Sequence, residues 1–185
     1  MASGKTLLAW DFPPRTYRVL NHKLEEFLKS KGLHPLDPHA KWPHISIALI
    51  DKPSEEERNK LMLGGPAVNV SFTMIGLEIF SGNPDPKTPP PVDFIVVTMK
   101  PNSNAADKLR AFITDLVGDR FRPFPGAYKP HASVITIPKT ERAEAEALLP
   151  EMLKIAKRSF TRFKPEQIQL WDDFEISEID TNQLL

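Results

Sequence analysis

The stretch Lys129-Pro130-His131-Ala132-Ser133-Val134-Ile135-Thr136-Ile137 has a near-copy at Trp42-Pro43-His44-Ile45-Ser46-Ile47-Ala48-Leu49-Ile50. Aligned on their histidines, both stretches read Pro-His-x-Ser, continue with a β-branched residue and close on isoleucine. The histidines lie 131 − 44 = 87 positions apart. A single His-x-Ser carries little information. Two copies that both follow proline and both open an apolar run indicate a duplicated unit.

Both stretches are predicted to be strands, because they are rich in β-branched residues and begin at a proline. Side chains alternate between the two faces of a strand. His44 and Ser46 are therefore expected on one face, with Ile45, Ile47 and Leu49 on the other. The second motif repeats the pattern, so each strand should present an imidazole and a hydroxyl on one surface and pack its other surface against helices.

The duplication extends beyond the motifs, because the order strand, helix, glycine, polar loop, motif strand, helix occurs twice. The glycines are Gly32 and Gly118, which stand 12 and 13 residues before their motif histidines. We place lobe-forming repeats at residues 5–63 and 92–157 of one domain spanning 1–185. A unit that cannot bury its own apolar face packs against its copy. We therefore expect a pseudo-twofold arrangement in which the two motif strands face one central cleft.

Two helix starts carry recognisable capping signals. Ser54-x-x-Glu57 is the pattern of a capping box, which predicts a short helix. Thr140 is predicted to cap a helix that runs from about Glu141 to Lys157.

Composition limits the classes of function. The chain has 185 residues, 41% hydrophobic and 26% charged, which fits a globular protein with a sizeable core. The 24 basic and 24 acidic residues cancel, so an anionic ligand must be met by a local cluster of charge. The absence of cysteine excludes disulfides and thiolate nucleophiles. We find no signal peptide and no membrane span, and expect a cytoplasmic monomer without an obligate protein partner.

At the two motifs the chain resembles the 2H phosphoesterase superfamily, which is defined by two His-x-Ser/Thr motifs. The superfamily includes RNA 2′,3′-cyclic phosphodiesterases, once called 2′-5′ RNA ligases, as well as 2′,5′-oligoadenylate phosphodiesterases and phage enzymes that destroy cyclic-nucleotide signals. The family pattern falls on His44 and Ser46, and on His131 and Ser133. The resemblance implies a bilobal α+β fold with an antiparallel sheet in each lobe and helices outside, over essentially the whole chain.

These four residues suit the cleavage of a phosphodiester. The reaction needs a base on the attacking oxygen, an acid on the leaving oxygen and donors for the phosphoryl oxygens. Two histidines supply base and acid, because an imidazole pKa near ~6.5 makes both protonation states accessible at neutral pH. Ser46 and Ser133 can donate to the phosphoryl oxygens. The scheme requires no metal and no cofactor, and the sequence does not decide which histidine is the base.

The resemblance implies a substrate with a 2′,3′-cyclic phosphate or a 2′-5′ linkage. Zero net charge argues for a nucleotide or short oligonucleotide over a long duplex. One alternative is an enzyme of the phage type that degrades cyclic oligonucleotide second messengers. Another is a nucleotide- or RNA-binding module that does not catalyse. Intact His and Ser in both motifs weigh against the module, since binding alone does not need two acid–base groups.

Further candidates are less specific. Six residues are proposed to bind substrate: Lys41, Trp42, Tyr128, Lys129, Tyr17 and Trp171. The lysines can meet phosphate charge and the aromatic rings can stack on a base, while solvated lysines and core aromatic residues are the alternative interpretations. A metal site at His34, His39 and His44 is disfavoured, because their spacing matches no compact ligand pattern.

Overall fold

Four helices and eight strands are present in residues 5–36, 43–64, 70–82, 91–122, 128–165 and 168–172, the part of the chain that the computed structural model describes. They are, in chain order, β1 (Lys5–Asp11), α1 (Pro14–Ser30), β2 (His44–Asp51), α2 (Glu55–Gly64), β3 (Phe72–Ser81), β4 (Val92–Pro101), α3 (Ala105–Val117), β5 (Phe121–Arg122), β6 (His131–Pro138), α4 (Arg142–Ser159), β7 (Arg162–Phe163) and β8 (Ile168–Asp172). Within these ranges no helix is both long enough and apolar enough to span a membrane.

The strands form two four-stranded antiparallel sheets. The first sheet has the order β5-β2-β1-β8 and the second sheet has the order β6-β4-β3-β7. Helices α1 and α4 pack together against the second sheet, and α2 and α3 pack against the first. The predicted α+β class with one antiparallel sheet in each lobe is therefore confirmed.

The two halves of the chain are interlocked by exchanged elements. The series β1-α1-β2-α2-β3 corresponds to the series β4-α3-β6-α4-β8, in which β2 and β6 are the motif strands. The last strand of each series leaves its own sheet: β3 pairs with β4, and β8 pairs with β1. Each series thus has one more strand than the repeats predicted at residues 5–63 and 92–157, and neither sheet is complete without the other half.

The segments before the motifs also cross between the sheets. Leu36 donates its backbone N–H to the carbonyl of Thr136 at 2.8 Å, which adds one bridge to the second sheet. In the other half, β5 pairs with β2 at the edge of the first sheet. Gly32 (φ +83°) and Gly118 (φ +56°) make the turns that lead from the preceding helices into these segments.

One apolar core lies beneath both sheets. An aromatic cluster joins them, because Trp10 of β1 meets Phe72 of β3 edge-on with ring centroids 5.2 Å apart. Phe12 contacts Phe163 of β7 at 4.8 Å in the same way. Such pairs contribute about 0.5–1.5 kcal/mol each beyond the area they bury. The contacts fix the two sheets side by side, with the motif strands β2 and β6 touching.

Of the two helix starts, one is as predicted. Ser54 donates its backbone N–H to Glu57 Oε2 at 2.7 Å, and Glu57 donates its backbone N–H to Ser54 Oγ at 3.2 Å. The capping box is therefore confirmed. The cap predicted at Thr140 is wrong. Residues Lys139–Glu141 form a 3₁₀ turn, and α4 begins after it without a side-chain cap.

An ion pair with one buried partner fixes the end of the β3–β4 hairpin against α4. Asp93 is fully buried, and its carboxylate accepts from Arg142 Nη1 at 3.1 Å. The same guanidinium also donates to Ser81 Oγ at 2.8 Å and to the carbonyl of Ile79 at 3.2 Å. Because the Arg142 side chain binds three groups of the hairpin, it fixes the position of β3 and β4 relative to α4.

Replacing Asp93 with alanine should lower the free energy of unfolding by about 2 kcal/mol, since it removes a buried carboxylate that accepts a hydrogen bond from the charged guanidinium of Arg142. Urea denaturation at pH 7 measures the change. Glu151→Ala is the matched control, because its ion pair with Lys31 at 3.7 Å is solvent-exposed and such pairs contribute about 0–1 kcal/mol. Equal effects of the two substitutions would contradict the assignment.

Candidate active site

The two motif strands have the same local structure. Each is eight residues long, and each shows the same order of partly exposed and buried positions from its histidine onwards. His44 and Ser46 are partly exposed while Ile45 between them is buried. His131 and Ser133 repeat this arrangement. The predicted His–Ser face is therefore present on both strands.

A β-bulge occurs at the same repeat position in both strands, directly after the motif serine. The pairing of β1 with β2 skips Ile47, and the pairing of β4 with β6 skips Val134. A bulge leaves a backbone group outside the ladder and redirects the side chains around it. In the second sheet, Asn21 of α1 donates its Nδ2–H to the Val134 carbonyl at 2.8 Å, so this bulge is fixed by a helix of the other half.

The bulge corrects one prediction about side-chain direction. Leu49 was expected on the face of β2 opposite to Ser46. In the structure Leu49 pairs with Leu7 and Ser46 pairs with Ala9. Leu7 and Ala9 lie on one face of β1, so Leu49 and Ser46 also share a face. Leu49, Leu7 and Ala9 form a small buried cluster separate from the main core, with Trp171 packed against it. The extra residue shifts the alternation by one position, and this apolar cluster therefore lies on the same face as His44.

The carbonyl of the proline before each histidine accepts a hydrogen bond that fixes the register of the strand pairing at the histidine. The N–H of Phe12 donates to Pro43 O at 3.1 Å, and the N–H of Met99 donates to Pro130 O at 2.9 Å. These hydrogen bonds join the residues next to the pairs Asp11–His44 and Thr98–His131. The two pairs are therefore non-hydrogen-bonded pairs of the antiparallel ladder. Side chains of such pairs lie closest together in an antiparallel ladder.

Each motif histidine therefore has a buried polar residue directly beside it. Asp11 is the cross-strand neighbour of His44, and Thr98 is the neighbour of His131. The sequence analysis missed both residues. Each lies more than thirty positions from its histidine, and only the strand register reveals the pairing.

An aromatic ring lies edge-on to each imidazole. Trp171 of β8 is 4.4 Å from His44 between ring centroids, and Phe80 of β3 is 4.8 Å from His131. The two aromatic residues are at equivalent positions, because Trp171 pairs with Leu7 and Phe80 pairs with Phe94 in the corresponding strands. Trp171 is a predicted site residue, whereas Phe80 was missed. Both come from the exchanged strands.

The hydrogen bond made by His131 determines its tautomer. Its Nδ1 lies 2.9 Å from the carbonyl oxygen of Lys129. A carbonyl can only accept, so Nδ1 carries the proton. Burial lowers the pKa of His131 below its usual range and outweighs the opposing effects of this hydrogen bond and of Glu78, while Lys129 lowers it further. The neutral ring then has a free lone pair on Nε2, as a general base requires.

The other predicted binding residues have varied surroundings. Lys129 Nζ is paired with Glu78 Oε2 at 2.6 Å, so its charge is already compensated. Tyr17 is partly buried against the core, and burial raises the pKa of its phenol. Lys41 and Trp42 lie outside the described residues. Their proposed roles stay predictions.

Tyr128 links the two motifs. Its hydroxyl donates to the backbone carbonyl of Ser46 at 2.9 Å, and the guanidinium carbon of Arg110 lies 4.4 Å from the ring centroid. Burial raises the pKa of Tyr128, which keeps the phenol protonated as a donor. The residue just before one motif therefore binds the backbone of the other.

Both His–Ser faces lie on the same side of the paired sheets. Ile45 and Ile47 from the first motif, and Ala132 and Val134 from the second, belong to one continuous core. Because β2 and β6 touch above that core, the opposite faces of both strands point away from it together. No group of three or more His, Asp or Glu residues within the described ranges is arranged to hold a metal ion.

Replacing Tyr128 with phenylalanine should lower the free energy of unfolding by about 1 kcal/mol, because it removes a part-buried hydrogen bond while keeping the ring. The matched control is Tyr17→Phe, whose hydroxyl has no hydrogen bond to a described residue. Denaturant titration of both variants measures the difference. A Tyr128→Phe variant as stable as the control would show that the bond to Ser46 contributes nothing.

Comparison with solved structures identifies the fold. The structure of Kluyveromyces marxianus Usb1 with uridine monophosphate is similar over 95% of this chain and 97% of that chain, with a TM-score of 0.54 and 12% sequence identity. A second Usb1 structure from the same organism gives 0.48, 11% identity and coverage of 94% and 96%. TT0787 of Thermus thermophilus gives 0.44, 18% identity and coverage of 73% and 74%. No protein-family model and no curated protein matches the sequence. The chain has the fold of Usb1.

Proposed function

We propose that the chain is a 2H-type phosphodiesterase in which His44 and His131 are the acid–base pair and Ser46 and Ser133 bind the phosphoryl oxygens. The observation that carries this proposal is that one arrangement is built twice. Each imidazole follows a proline whose carbonyl fixes the ladder, sits beside a buried polar residue and meets an aromatic edge. A fold that needed these two strands only for its sheets would have no reason to repeat all of these features.

The contact between the motif strands supports a shared phosphate. β2 and β6 touch, their His–Ser faces point away from the common core, and Tyr128 binds them together at Ser46. Two imidazoles on opposite sides of one phosphorus atom can act in a single in-line displacement. The similarity in fold adds support for a nucleotide ligand, since Usb1 was solved with uridine monophosphate.

The proposed reaction is hydrolysis of a 2′,3′-cyclic phosphate. Nε2 of His131 takes a proton from water, the water oxygen forms a bond to phosphorus, and the bond from phosphorus to one ribose oxygen breaks. His44 gives its proton to that leaving oxygen, and the product is a phosphomonoester. The hydroxyls of Ser46 and Ser133 donate to the negative oxygens throughout. The same groups serve for a 2′-5′ linkage, and no step calls for a metal.

Replacing His44 or His131 with alanine should lower kcat by about 10²–10⁴-fold, the span for a positioned acid or base. His22→Ala, an exposed residue of α1, is the control and should retain full activity. The assay contains EDTA and a panel of nucleoside 2′,3′-cyclic phosphates, 2′,5′-oligoadenylate, cyclic dinucleotides and cyclic trinucleotides. Full activity of His131→Ala would refute the paired-histidine mechanism.

The same panel separates the alternative functions. Turnover of cyclic dinucleotides or trinucleotides alone would assign the chain to degradation of second messengers. Binding without product across the whole panel would assign it to the non-catalytic modules.

The pH dependence of kcat/KM tests the role of His131. A base must be neutral, so activity should fall as pH decreases through its lowered pKa, with a midpoint below ~6.5. The charged groups facing the ring are Lys129 and Glu78, while β4 contributes the uncharged Thr98. Glu78→Gln removes the carboxylate that raises the pKa of His131, so the acid limb should move to still lower pH.

Asp115→Asn on the exposed side of α3 is the control for charge alone and should leave the acid limb in place. An acid limb that moves to higher pH in Glu78→Gln would contradict the assignment of His131 as base.

A further inference from the structure

A row of polar residues continues the His131 face of the second sheet beyond the proposed site. Thr73 of β3 pairs with Lys100 of β4 on one side and with Arg162 of β7 on the other. The residues on either side of Thr73, Phe72 and Met74, are buried in the core. Side chains alternate along a strand, so the row Lys100–Thr73–Arg162 points away from the core, as His131 does.

The row lies close to the catalytic residues. Thr98 is the cross-strand neighbour of His131, and Lys100 follows two residues later on the same face of β4. Two residues of a strand span about 7 Å, which is of the order of one nucleotide step along an extended strand. A phosphate adjacent to the scissile one would therefore lie over this row.

The two cations of the row are available to a ligand. Lys100 and Arg162 are exposed and form no ion pair with any residue that the structure describes. Lys129, nearer to the motif, is compensated by Glu78. Between the row and the Thr98–His131 pair, the bulge residue Ile75 leaves 53% of its surface exposed. Uncompensated cations beside an exposed apolar side chain suit a nucleotide, which presents phosphate and base together.

Among the described residues, β1 has no counterpart of Lys100. Asp11 corresponds to Thr98, because both are paired with a motif histidine. The position two residues beyond Asp11 is Pro13 rather than a cation. The two halves therefore differ at this position, and within the described residues the row belongs to the second sheet.

We infer that Lys100 and Arg162 form a subsite for a second phosphate, so that the preferred substrate is an oligonucleotide with at least one phosphodiester beyond the group attacked. The inference rests on the proposed phosphodiesterase function and specifies its substrate class. Ile75 lies where the nucleoside between the two phosphates would pack. A mononucleotide reaches the histidines without using the row.

The test compares a tetranucleotide ending in a 2′,3′-cyclic phosphate with a nucleoside 2′,3′-cyclic phosphate. In the double variant Lys100→Ala/Arg162→Ala, kcat/KM for the tetranucleotide should fall about tenfold at low salt, and the slope of its log–log salt dependence should flatten by about 0.7, the value for one lost single-strand phosphate contact. The value for the mononucleotide should not change.

The matched control is Arg18→Ala/Lys108→Ala, which removes the same charges from exposed positions on α1 and α3. A tetranucleotide effect no larger than in this control, or an equal loss with both substrates, would overturn the subsite.

Failure of the proposed function gives a different result. If the wild-type protein turns over neither substrate, fluorescence anisotropy with a labelled tetranucleotide still tests the row. An increase in Kd for Lys100→Ala/Arg162→Ala but not for Arg18→Ala/Lys108→Ala would then keep the phosphate subsite and reject the proposed hydrolysis of 2′,3′-cyclic phosphates. Wild-type turnover of both substrates without an effect of the double variant would reject the subsite and keep the enzyme.

Discussion

The pairing of an exchanged strand with the opposite half is the constraint on which the rest of this structure depends. Without β8 the core of the first sheet is the antiparallel pair β1 and β2, and without β3 the core of the second sheet is the pair β4 and β6. An isolated two-stranded sheet is at best marginally stable in water. The exchange adds a third strand to each pair, β5 and β7 complete the four-stranded sheets, and the two motif strands lie next to each other over one core.

The exchange also builds the surroundings of the motif histidines. Trp171 and Phe80, the rings beside the imidazoles, both belong to exchanged strands. The bulge in β6 is held by Asn21 from a helix of the other half. The backbone of β2 at Ser46 is held by Tyr128, which precedes the opposite motif. Each half therefore depends on the other half for the contacts around its motif residues. The candidate site is complete when the two halves have packed together.

The symmetry of the duplication is incomplete in ways that bear on chemistry. The polar neighbour of one histidine is an acid, Asp11, and that of the other is an alcohol, Thr98. In the part of the chain that the structure describes, the row of Lys100 and Arg162 belongs to the second sheet. In the proposed mechanism one histidine acts as general acid and the other as general base, and these differences between the halves would distinguish the two.

Local residue patterns by themselves determined the individual secondary-structure elements. Period-two alternation and proline boundaries gave both motif strands, glycine gave the helix ends, and Ser54 with Glu57 gave a capping box, because each of these signals acts within a few residues. The faces of His44 and Ser46 followed from alternation, but that of Leu49 did not, since a bulge arises from the pairing of two strands.

Only the tertiary structure decided which strand pairs with which, and therefore that Asp11, Thr98 and Phe80 lie beside the histidines. The physical reason is that ladder hydrogen bonds join any two backbones equally well, so register between distant segments is selected by burial of the shared core.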